Sequence, residues 1–240
     1  MTIAGKAVLV TGANRGIGRA LVEEALRREA SRVYVATRQP VTHPDGRVTR
    51  LTMDVTDRQQ IECAAERVES LDMLINNAGM ALYDDLSDRT SIERHLAVNL
   101  LGTFDVIQAL LPKLQSSGGV IVNNLSVNAL APLPLIPAYS ISKAAALNLT
   151  QSLRVLLAPR GVRVHAVLTG PVDTDMTKGL EIPKATAASV AQEIFDGVEL
   201  DQDEIFPDAM SQTLAPSWRN GTAKTLEHQY SALLDAAPIS

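Results

Sequence analysis

Cysteine and metal-ligand patterns are nearly absent from this chain of 240 residues. Cys63 is its one cysteine, which excludes an internal disulfide and a cysteine-based metal cluster. The four histidines show no metal-ligand spacing, and they are His43, His95, His165 and His228. The sequence therefore predicts no metal site.

An excess of positive charge is also missing. Lysine and arginine number 22 against 27 aspartates and glutamates, which gives a formal net charge of −5. Proteins that bind nucleic acids usually present a basic face. We therefore expect no nucleic-acid partner.

Targeting signals and long apolar runs are lacking as well. The first ten residues lead directly into a strand pattern, without the charged region, apolar core and cleavage site of a signal peptide. No run of consecutive apolar residues approaches the ~18 residues that a membrane span needs. We expect a cytoplasmic protein with no membrane partner.

Linkers, repeats and shifts in composition do not divide the chain. This favours a single domain over residues 1–240, with a substrate loop and C-terminal extension from about residue 170 onwards. Inside this C-terminal region, the loop at about residues 173–184 is a candidate lid over the predicted nucleotide site.

Short apolar segments alternate with longer amphipathic ones, which is typical of βαβ units. The pattern predicts strands at residues 7–10, 32–36, 48–51, 71–75, 120–123, 162–167 and 204–206. It predicts helices at 16–29, 57–69, 88–114, 138–157, 186–198 and 218–234, with Pro112 expected to bend or end the third. The predicted fold class is α/β, a doubly wound parallel sheet of about seven strands with flanking helices.

A glycine-rich segment, residues 11–18, follows the first predicted strand and opens the first helix. Glycine lets the backbone turn tightly and approach a pyrophosphate, whose charge then lies at the helix N-terminus. The alternative is an ordinary glycine-rich turn, but the position between strand and helix favours a dinucleotide site. The candidate binding residues here are Gly12, Asn14, Arg15, Gly16, Ile17 and Gly18.

The end of the second predicted strand bears on which cofactor is bound. An NAD site usually has an acidic residue there for the ribose 2′-hydroxyl, whereas this chain has Ala36, Thr37 and Arg38. Arg38, together with Arg15, could hold a 2′-phosphate, because the guanidinium group is planar and always charged. Both could instead be solvated surface arginines. The sequence favours NADP(H) over NAD(H).

Tyr139 and Lys143 lie four residues apart on a predicted helix and therefore project from the same face. A nearby ammonium favours the phenolate form of tyrosine, so we expect Lys143 to lower the pKa of Tyr139. A phenol tuned in this way can act as an acid or base near neutral pH. Ser126, upstream on the chain, offers a hydroxyl to the same site.

Taken together, these motifs resemble the short-chain dehydrogenase/reductase family, whose fold is of the Rossmann type. The resemblance covers about residues 5 to 180, and the motifs follow the order of the family. They are the segment 11–18, Asn76-Asn77-Ala78-Gly79, Asn99 in Val98-Asn99-Leu100, Ser126, Tyr139 with Lys143, and Gly170-Pro171 with Thr174.

The resemblance implies four catalytic roles. Tyr139 exchanges a proton with the substrate oxygen, and Lys143 lowers the pKa of Tyr139 and binds the nicotinamide ribose. Ser126 polarises the substrate oxygen, and Asn99 holds a water that continues the proton relay. It also implies a set of cofactor contacts, which are Asp54, Val55, Asn77, Ala78, Gly79, Pro171, Val172 and Thr174, along with Tyr139 and Lys143 themselves.

The residues expected near the substrate are mostly apolar, and no arginine cluster is present to bind a carboxylate or phosphate. They are Leu82, Val127, Leu130, Leu133, Leu135, Ile136, Val172, Met176, Leu180 and Ile182, each of which could equally be a core or dimer contact. This favours a small neutral ketone, aldehyde or secondary alcohol as substrate. The expected activity is that of an NADP-dependent carbonyl reductase or alcohol dehydrogenase.

Two other functions remain open at this point. One is reduction of a 3-oxoacyl thioester on a carrier protein, which would need a basic docking patch. The other is a non-catalytic, dinucleotide-sensing regulator, against which the intact Ser126, Tyr139 and Lys143 argue. The long helices ending near Leu114 and Leu157 resemble the family's dimer surface, while the tail departs from the family pattern. We expect a homodimer, with a homotetramer as the alternative.

Overall fold

The computed structural model describes residues 1–236, with side chains placed through residue 232. Its strands form one parallel sheet in the order β3-β2-β1-β4-β5-β6-β7. The strands are β1 Ala7–Thr11, β2 Arg32–Thr37, β3 Val48–Thr52, β4 Met73–Asn76, β5 Val120–Asn124, β6 Arg163–Val167 and β7 Glu204–Ile205. The predicted fold class is confirmed.

Helices cover both faces of this sheet. They are α1 Gly16–Arg27, α2 Arg58–Glu66, α3 Arg89–Leu96, α4 Thr103–Ser117, α5 Pro137–Leu157, α6 Ala187–Glu199, α7 Ala209–Arg219 and α8 Thr222–Ala236. A π-helical turn, Ala97–Gly102, joins α3 to α4. Because strand order reverses between β1 and β4, a crevice forms where the carboxyl ends of these two strands diverge.

Two apolar layers hold the helices on the sheet. On one face, α1 and α6 pack through fully buried residues such as Leu21, Ile194 and Phe195. On the other, α2, α4 and α5 pack through residues such as Ile107 and Leu114. Burying each such side chain contributes about 1.5–3 kcal/mol. The sheet is therefore sandwiched, which fixes the crevice at its carboxyl edge.

The long predicted helix at 88–114 is broken in a way that the periodicity does not reveal. Asp88 caps α3 by accepting from the Thr90 N–H at 2.9 Å, but the π-turn then interrupts the α pattern at Asn99. Pro112 does not end the helix, because α4 continues to Ser117 and Gly118 terminates it with φ +59°. Gly102 in the π-turn lies where a Cβ would come within 2.6 Å of the Val55 carbonyl oxygen.

The stretch Arg89–Ser117 is long and apolar enough to cross a membrane by length and composition alone. Within the fold, its apolar residues Val106, Ile107, Leu110 and Leu114 are buried in the core layer under the sheet. Core packing therefore accounts for the apolar character of this helix. The cytoplasmic location stays a prediction.

The C-terminal region departs most from the predicted pattern. The periodicity predicts a single helix at 218–234, whereas α7 already begins at Ala209 and α8 follows from Thr222. The α7 start is set by Asp208, whose carboxylate accepts from the Ser211 N–H at 2.9 Å, with the Ser211 hydroxyl accepting in return from the Asp208 N–H. This reciprocal cap explains why the helix begins so early.

A cluster of charged side chains ties α8 to α5 and β7. The Arg154 guanidinium lies 2.8 Å from Glu204 and 2.6 Å from Glu227. The Lys224 ammonium lies 2.9 Å from Glu204, 3.1 Å from Glu227 and 3.2 Å from Asp203. The side chains of Glu204 and Lys224 are only 2% and 7% exposed. Each charge in this cluster is therefore compensated by a close partner.

Candidate active site

The first turn of α5 and the end of β5 bring Ser126, Tyr139 and Lys143 together. Pro137 occupies the first turn of α5, where its lack of an N–H costs nothing. The Tyr139 side chain is buried, and the Ser126 side chain lies close enough to its phenol to affect its pKa. The Lys143 ammonium lies 5.7 Å from the centre of the Tyr139 ring and donates to the Asn124 carbonyl at 2.8 Å. The structure thus places these three predicted residues in one cluster.

Burial dominates the proton equilibria of this cluster. Desolvation raises the pKa of Tyr139 to about 12, against a smaller opposing effect of the Ser126 hydrogen bond. Desolvation also lowers the pKa of Lys143 to about 8. In this structure the Lys143 ammonium is directed at the Asn124 carbonyl and lies over the ring, so the expected lowering of the Tyr139 pKa by Lys143 stays a prediction. Near neutral pH, Tyr139 is a protonated phenol.

Asn99 lies in the π-turn, and its side chain bonds to Met80 and Ser142. Its Oδ1 accepts from the Met80 N–H and its Nδ2 donates to the Met80 carbonyl, both at 2.9 Å. Nδ2 also donates to the Ser142 hydroxyl at 2.9 Å. A Cβ on Gly79 would lie 3.3 Å from Asn99 Oδ1 and 3.8 Å from the Lys143 ammonium. Asn99 therefore lies beside the cluster, and its predicted role with water stays a prediction.

The glycine-rich turn between β1 and α1 forms a tight cradle in the crevice. Gly12 adopts φ +64°, and a Cβ there would lie 2.8 Å from the Ala78 Cα. Gly16 adopts φ +52° and opens α1, whose first turn contains no acidic residue and whose N-cap, Arg15, makes no side-chain capping bond. A Cβ on Gly18 would strike the Gly12 carbonyl. The turn therefore leaves the positive end of α1 open to an anion.

Asn77 and Ala78 brace this cradle against the sheet. Both of their N–H groups donate to the Thr11 hydroxyl at 3.0 Å. The Asn77 Nδ2 donates to the Thr11 carbonyl at 3.1 Å, and its Oδ1 accepts from Asn124 at 2.9 Å. The ends of β1, β4 and β5 are thereby locked together, which sets the floor of the crevice.

The candidate residues for the adenosine end lie at the exposed edge of the crevice. Arg38 is exposed just after β2, and the Asp54 carboxylate accepts from the N–H and hydroxyl of Thr56 at 2.9 and 2.8 Å. Val55, next to Asp54, is buried. Arg15 pairs at 2.9 Å with Asp175, a residue of the candidate lid. In this structure Arg15 thus contacts the lid, and its predicted phosphate contact stays a prediction.

The segment after β6 lies directly over the glycine turn. Val172 is buried and forms an isolated parallel bridge with Ala185, after the half-buried Pro171. A Cβ on Gly16 would lie 3.1 Å from the Thr174 methyl group, and Thr174 caps the short 3₁₀ helix Asp175–Thr177. Thr174 therefore lies against the glycine turn, and the predicted contacts of Val172 and Thr174 with a nicotinamide stay predictions.

Sequence reasoning missed four residues that build the site. Ser142 bonds Asn99, and Asp208 accepts from the Gly170 N–H at 2.7 Å, which fixes the start of the segment after β6. His95 lies fully buried with its ring centre 6.4 Å from that of Tyr139, and Asp84 reaches the start of α5. The spacing of four between His95 and Asn99 was the one available signal, since it places both on one helical face.

The apolar residues predicted near the substrate divide by exposure. Val127 and Val172 are buried, whereas Leu130, Ile136 and Leu180 are half-buried. The exposed members are Leu82, Leu133, Leu135, Met176 and Ile182. They come from three segments of the chain, those after β4, after β5 and after β6, which are also the segments that carry the site.

Comparisons with known proteins bear on this site. A family model described as short chain dehydrogenase matches residues 6–184. The chain is 35% identical over 227 residues to "Short chain dehydrogenase mpl6" of Monascus purpureus, covering 84% of this chain and 74% of that protein. It is 34% identical over 197 residues to sorbitol dehydrogenase of Cereibacter sphaeroides, covering 75% and 76% respectively.

A solved structure is similar over nearly the whole chain. It is a short chain dehydrogenase from Burkholderia cenocepacia J2315 in complex with NADP, 35% identical to this chain with a TM-score of 0.88. The similarity covers 95% of this chain and 98% of that protein. It therefore extends through the C-terminal region, beyond the residues that the family model matches.

Proposed function

We propose, since this chain belongs to the short-chain dehydrogenase/reductase family of oxidoreductases, that it transfers hydride between NADP(H) and a small, largely apolar carbonyl compound or secondary alcohol. The observation that carries this proposal is the meeting of Ser126, Tyr139 and Lys143 beside the glycine cradle. A hydroxyl donor, a phenol and an ammonium group are the groups that stabilise charge developing on a carbonyl oxygen.

The residues present fit a dinucleotide. The crowded glycines and the open N-terminus of α1 suit a pyrophosphate, while Asn77, Ala78 and Gly79 line the floor and Pro171, Val172 and Thr174 the roof. Asn14 and Ile17 belong to the cradle itself, and Asp54 with Val55 lies toward the adenine end. When bound, the nicotinamide supplies or accepts the hydride.

The chain's own residues handle the proton. Ser126 donates to the substrate oxygen and polarises it, and Tyr139 transfers its phenolic proton to that oxygen as charge develops. Because burial keeps the pKa of Tyr139 at about 12, the residue is in the acid form at neutral pH, which suits carbonyl reduction. Lys143 restores the proton through its ammonium group, which lies over the same ring. Asn99 holds the adjoining segment and, in this proposal, the relay water.

The test of this function is an assay of apolar ketones and aldehydes with NADPH, in which the decrease in NADPH absorbance measures their reduction. Tyr139→Phe should retain NADPH affinity while turnover falls by at least ~10²-fold, because the acid is removed and the shape is kept. Tyr34→Phe is the matched control, since Tyr34 is also buried and its hydroxyl accepts from the Glu69 N–H, at 3.2 Å, on another part of the fold. Turnover that survives in Tyr139→Phe would contradict the assigned role.

The preference for NADP(H) rests on Arg38 at the end of β2, where no acidic residue is present. Arg38→Asp should weaken NADPH binding by about 10-fold to 100-fold and NADH binding little, because a charge-assisted bond to the 2′-phosphate is lost. Arg32→Asp makes the same charge change at the opposite end of β2 and serves as the control. Equal losses for the two cofactors would refute the phosphate contact.

An exposed apolar face supports a homodimer. Leu101 and Phe104, in the π-turn and α4, are 55% and 37% exposed. Ile141 and Leu156, on α5, are 41% and 47% exposed. Such a face on two neighbouring long helices is suited to a second copy of the chain.

A further inference from the structure

His95 contacts three separate parts of the molecule at once. Its Nδ1 lies 2.6 Å from the Ser91 carbonyl in the preceding turn of α3, so this nitrogen carries the proton and donates. Its Nε2 therefore accepts, and it receives the Leu82 N–H at 3.1 Å. The imidazole and the Tyr139 ring form a T-shaped pair, with ring centres 6.4 Å apart and ring planes at 71°. No part of the His95 side chain is exposed to solvent.

The segment Met80–Asp84, which we name the strap, links α3 to α5. Asn99 binds the N–H and carbonyl of Met80, and His95 binds the N–H of Leu82. At its far end, the Asp84 carboxylate accepts from the Ala138 N–H at 3.3 Å, and the Asp84 N–H reaches the Leu135 carbonyl at 3.4 Å. The last residue of the strap, Asp84, thus contacts Ala138, the residue directly before Tyr139.

The strap supplies something that α5 lacks. The N-cap of α5 is Ile136, which has no side chain able to bond the open N–H groups of the first turn. The Asp84 carboxylate takes over one of these N–H groups and brings a negative charge to the positive end of the helix. The placement of Tyr139, in that first turn, therefore depends on where the strap lies.

We propose that His95 is a positioning residue: it holds the strap through Leu82 and the Tyr139 ring through its edge, so that the substrate side of the site keeps its shape. This inference rests on the proposed function, because its main consequence is a change in substrate kinetics. A histidine that only filled the core would need no acceptor aimed at a backbone N–H of the strap.

Two variants separate this role from core packing. His95→Gln keeps an acceptor at the position of Nε2, whereas His95→Asn keeps a polar group only at the position of Nδ1 and cannot reach Leu82. With NADPH and a ketone, His95→Asn should lower kcat/KM by about 10-fold to 100-fold, with KM rising and kcat falling, because the reacting groups are misplaced. NADPH affinity should stay unchanged, and His95→Gln should recover most of the loss.

The matched control is His165→Asn. His165 is also buried and bonds a backbone carbonyl, that of Gln202, through Nδ1 at 2.6 Å, but it lies on β6 away from Tyr139. This variant should lose stability and keep its KM. Equal kinetics of His95→Asn and His95→Gln, or a KM increase in His165→Asn as large as that in His95→Asn, would overturn the proposal.

Hydrogen exchange at the Leu82 amide gives a readout that needs no turnover. Its protection should fall in His95→Asn and persist in His95→Gln, which supports the proposal even if no ketone is reduced by the wild-type protein. The same protection in both variants would overturn it. A wild-type protein that binds NADPH but reduces none of the carbonyl compounds would instead count against the proposed function alone.

Discussion

Lys143 shows how burial alone sets the charge balance at a single residue. Its pKa in the fold is about 8, against an ordinary value of 10.5. The unfolded chain therefore binds more protons between pH 8 and 10.5, and stability must rise with pH across that window. Burying the charged ammonium lowers the free energy of unfolding by its full amount below pH 8. This cost shrinks as the pH rises and disappears above pH 10.5, where the group is neutral in the unfolded chain as well.

Lys143→Met removes this titration. The pKa shift corresponds to about 3 kcal/mol. The unfolding free energy of the wild type, relative to that of the variant, should therefore increase by roughly that amount from about pH 7 to about pH 10.5. Urea unfolding of both proteins at the two pH values measures the difference. Parallel pH dependences would show that the ammonium is well solvated in the folded state.

At the residue scale, local motifs of fixed spacing point to Tyr139, Lys143 and the glycine turn, and the order of the family's motifs points to Ser126. The sequence could not locate His95 or Asp84 as parts of the site. Their partners, Leu82 and Ala138, lie 13 and 54 residues away along the chain. Contacts of this kind depend on tertiary packing, which residue spacing alone does not encode. The roles assigned to all of these residues stay predictions.

At the scale of elements, the β1–α1 turn combines two separate demands on one glycine. Gly12 needs both a positive φ, +64°, and the absence of a Cβ, which would lie 2.8 Å from the Ala78 Cα. The second demand arises because β4 runs alongside β1 and its following loop crosses the turn. The cradle is therefore shaped jointly by the two strands at which the sheet order reverses.

Gly12→Ala tests this arrangement against a matched control. Gly161 has φ +74°, but a Cβ there would meet no atom of the described residues within 4 Å, so Gly161→Ala carries the backbone strain alone. We expect Gly161→Ala to cost roughly 1 kcal/mol of unfolding free energy, and Gly12→Ala to cost more and to weaken NADPH binding. Thermal unfolding and cofactor titration measure both effects. Equal losses in the two variants would remove the contact with Ala78 from the explanation.

The predicted ends of helices and strands agree with the observed ones where a clear apolar periodicity stops at a capping residue. They differ at α7, which begins with the Asp208–Ser211 cap inside a stretch of weak periodicity, and at Asn99, where the π-turn adds one residue to the helical repeat. The expectation that Pro112 could end the helix is also wrong, since α4 continues through it to Ser117. The α7 start is a local cap that hydrophobic periodicity does not register, whereas at Asn99 and Pro112 the fold departs from local preference.

At the scale of the whole molecule, the exposed apolar face of α4 and α5 predicts association. If this face forms the dimer, Leu156→Arg should place an unpaired charge in it and shift the protein from dimer to monomer in sedimentation velocity. Leu200→Arg is the control, because Leu200 is 72% exposed at the end of α6. A dimer that persists in Leu156→Arg would place the interface elsewhere.

The charged cluster of Arg154, Glu204, Lys224 and Glu227 has a consequence for biosynthesis. Helix α5 carries Tyr139, yet Arg154 near its end is compensated by Glu204 and Glu227, which are made 50 and 73 positions later. During translation, that guanidinium lacks its full set of carboxylates until α8 has left the ribosome. Full charge compensation at the end of α5 therefore waits until the residues of α8 are available to it.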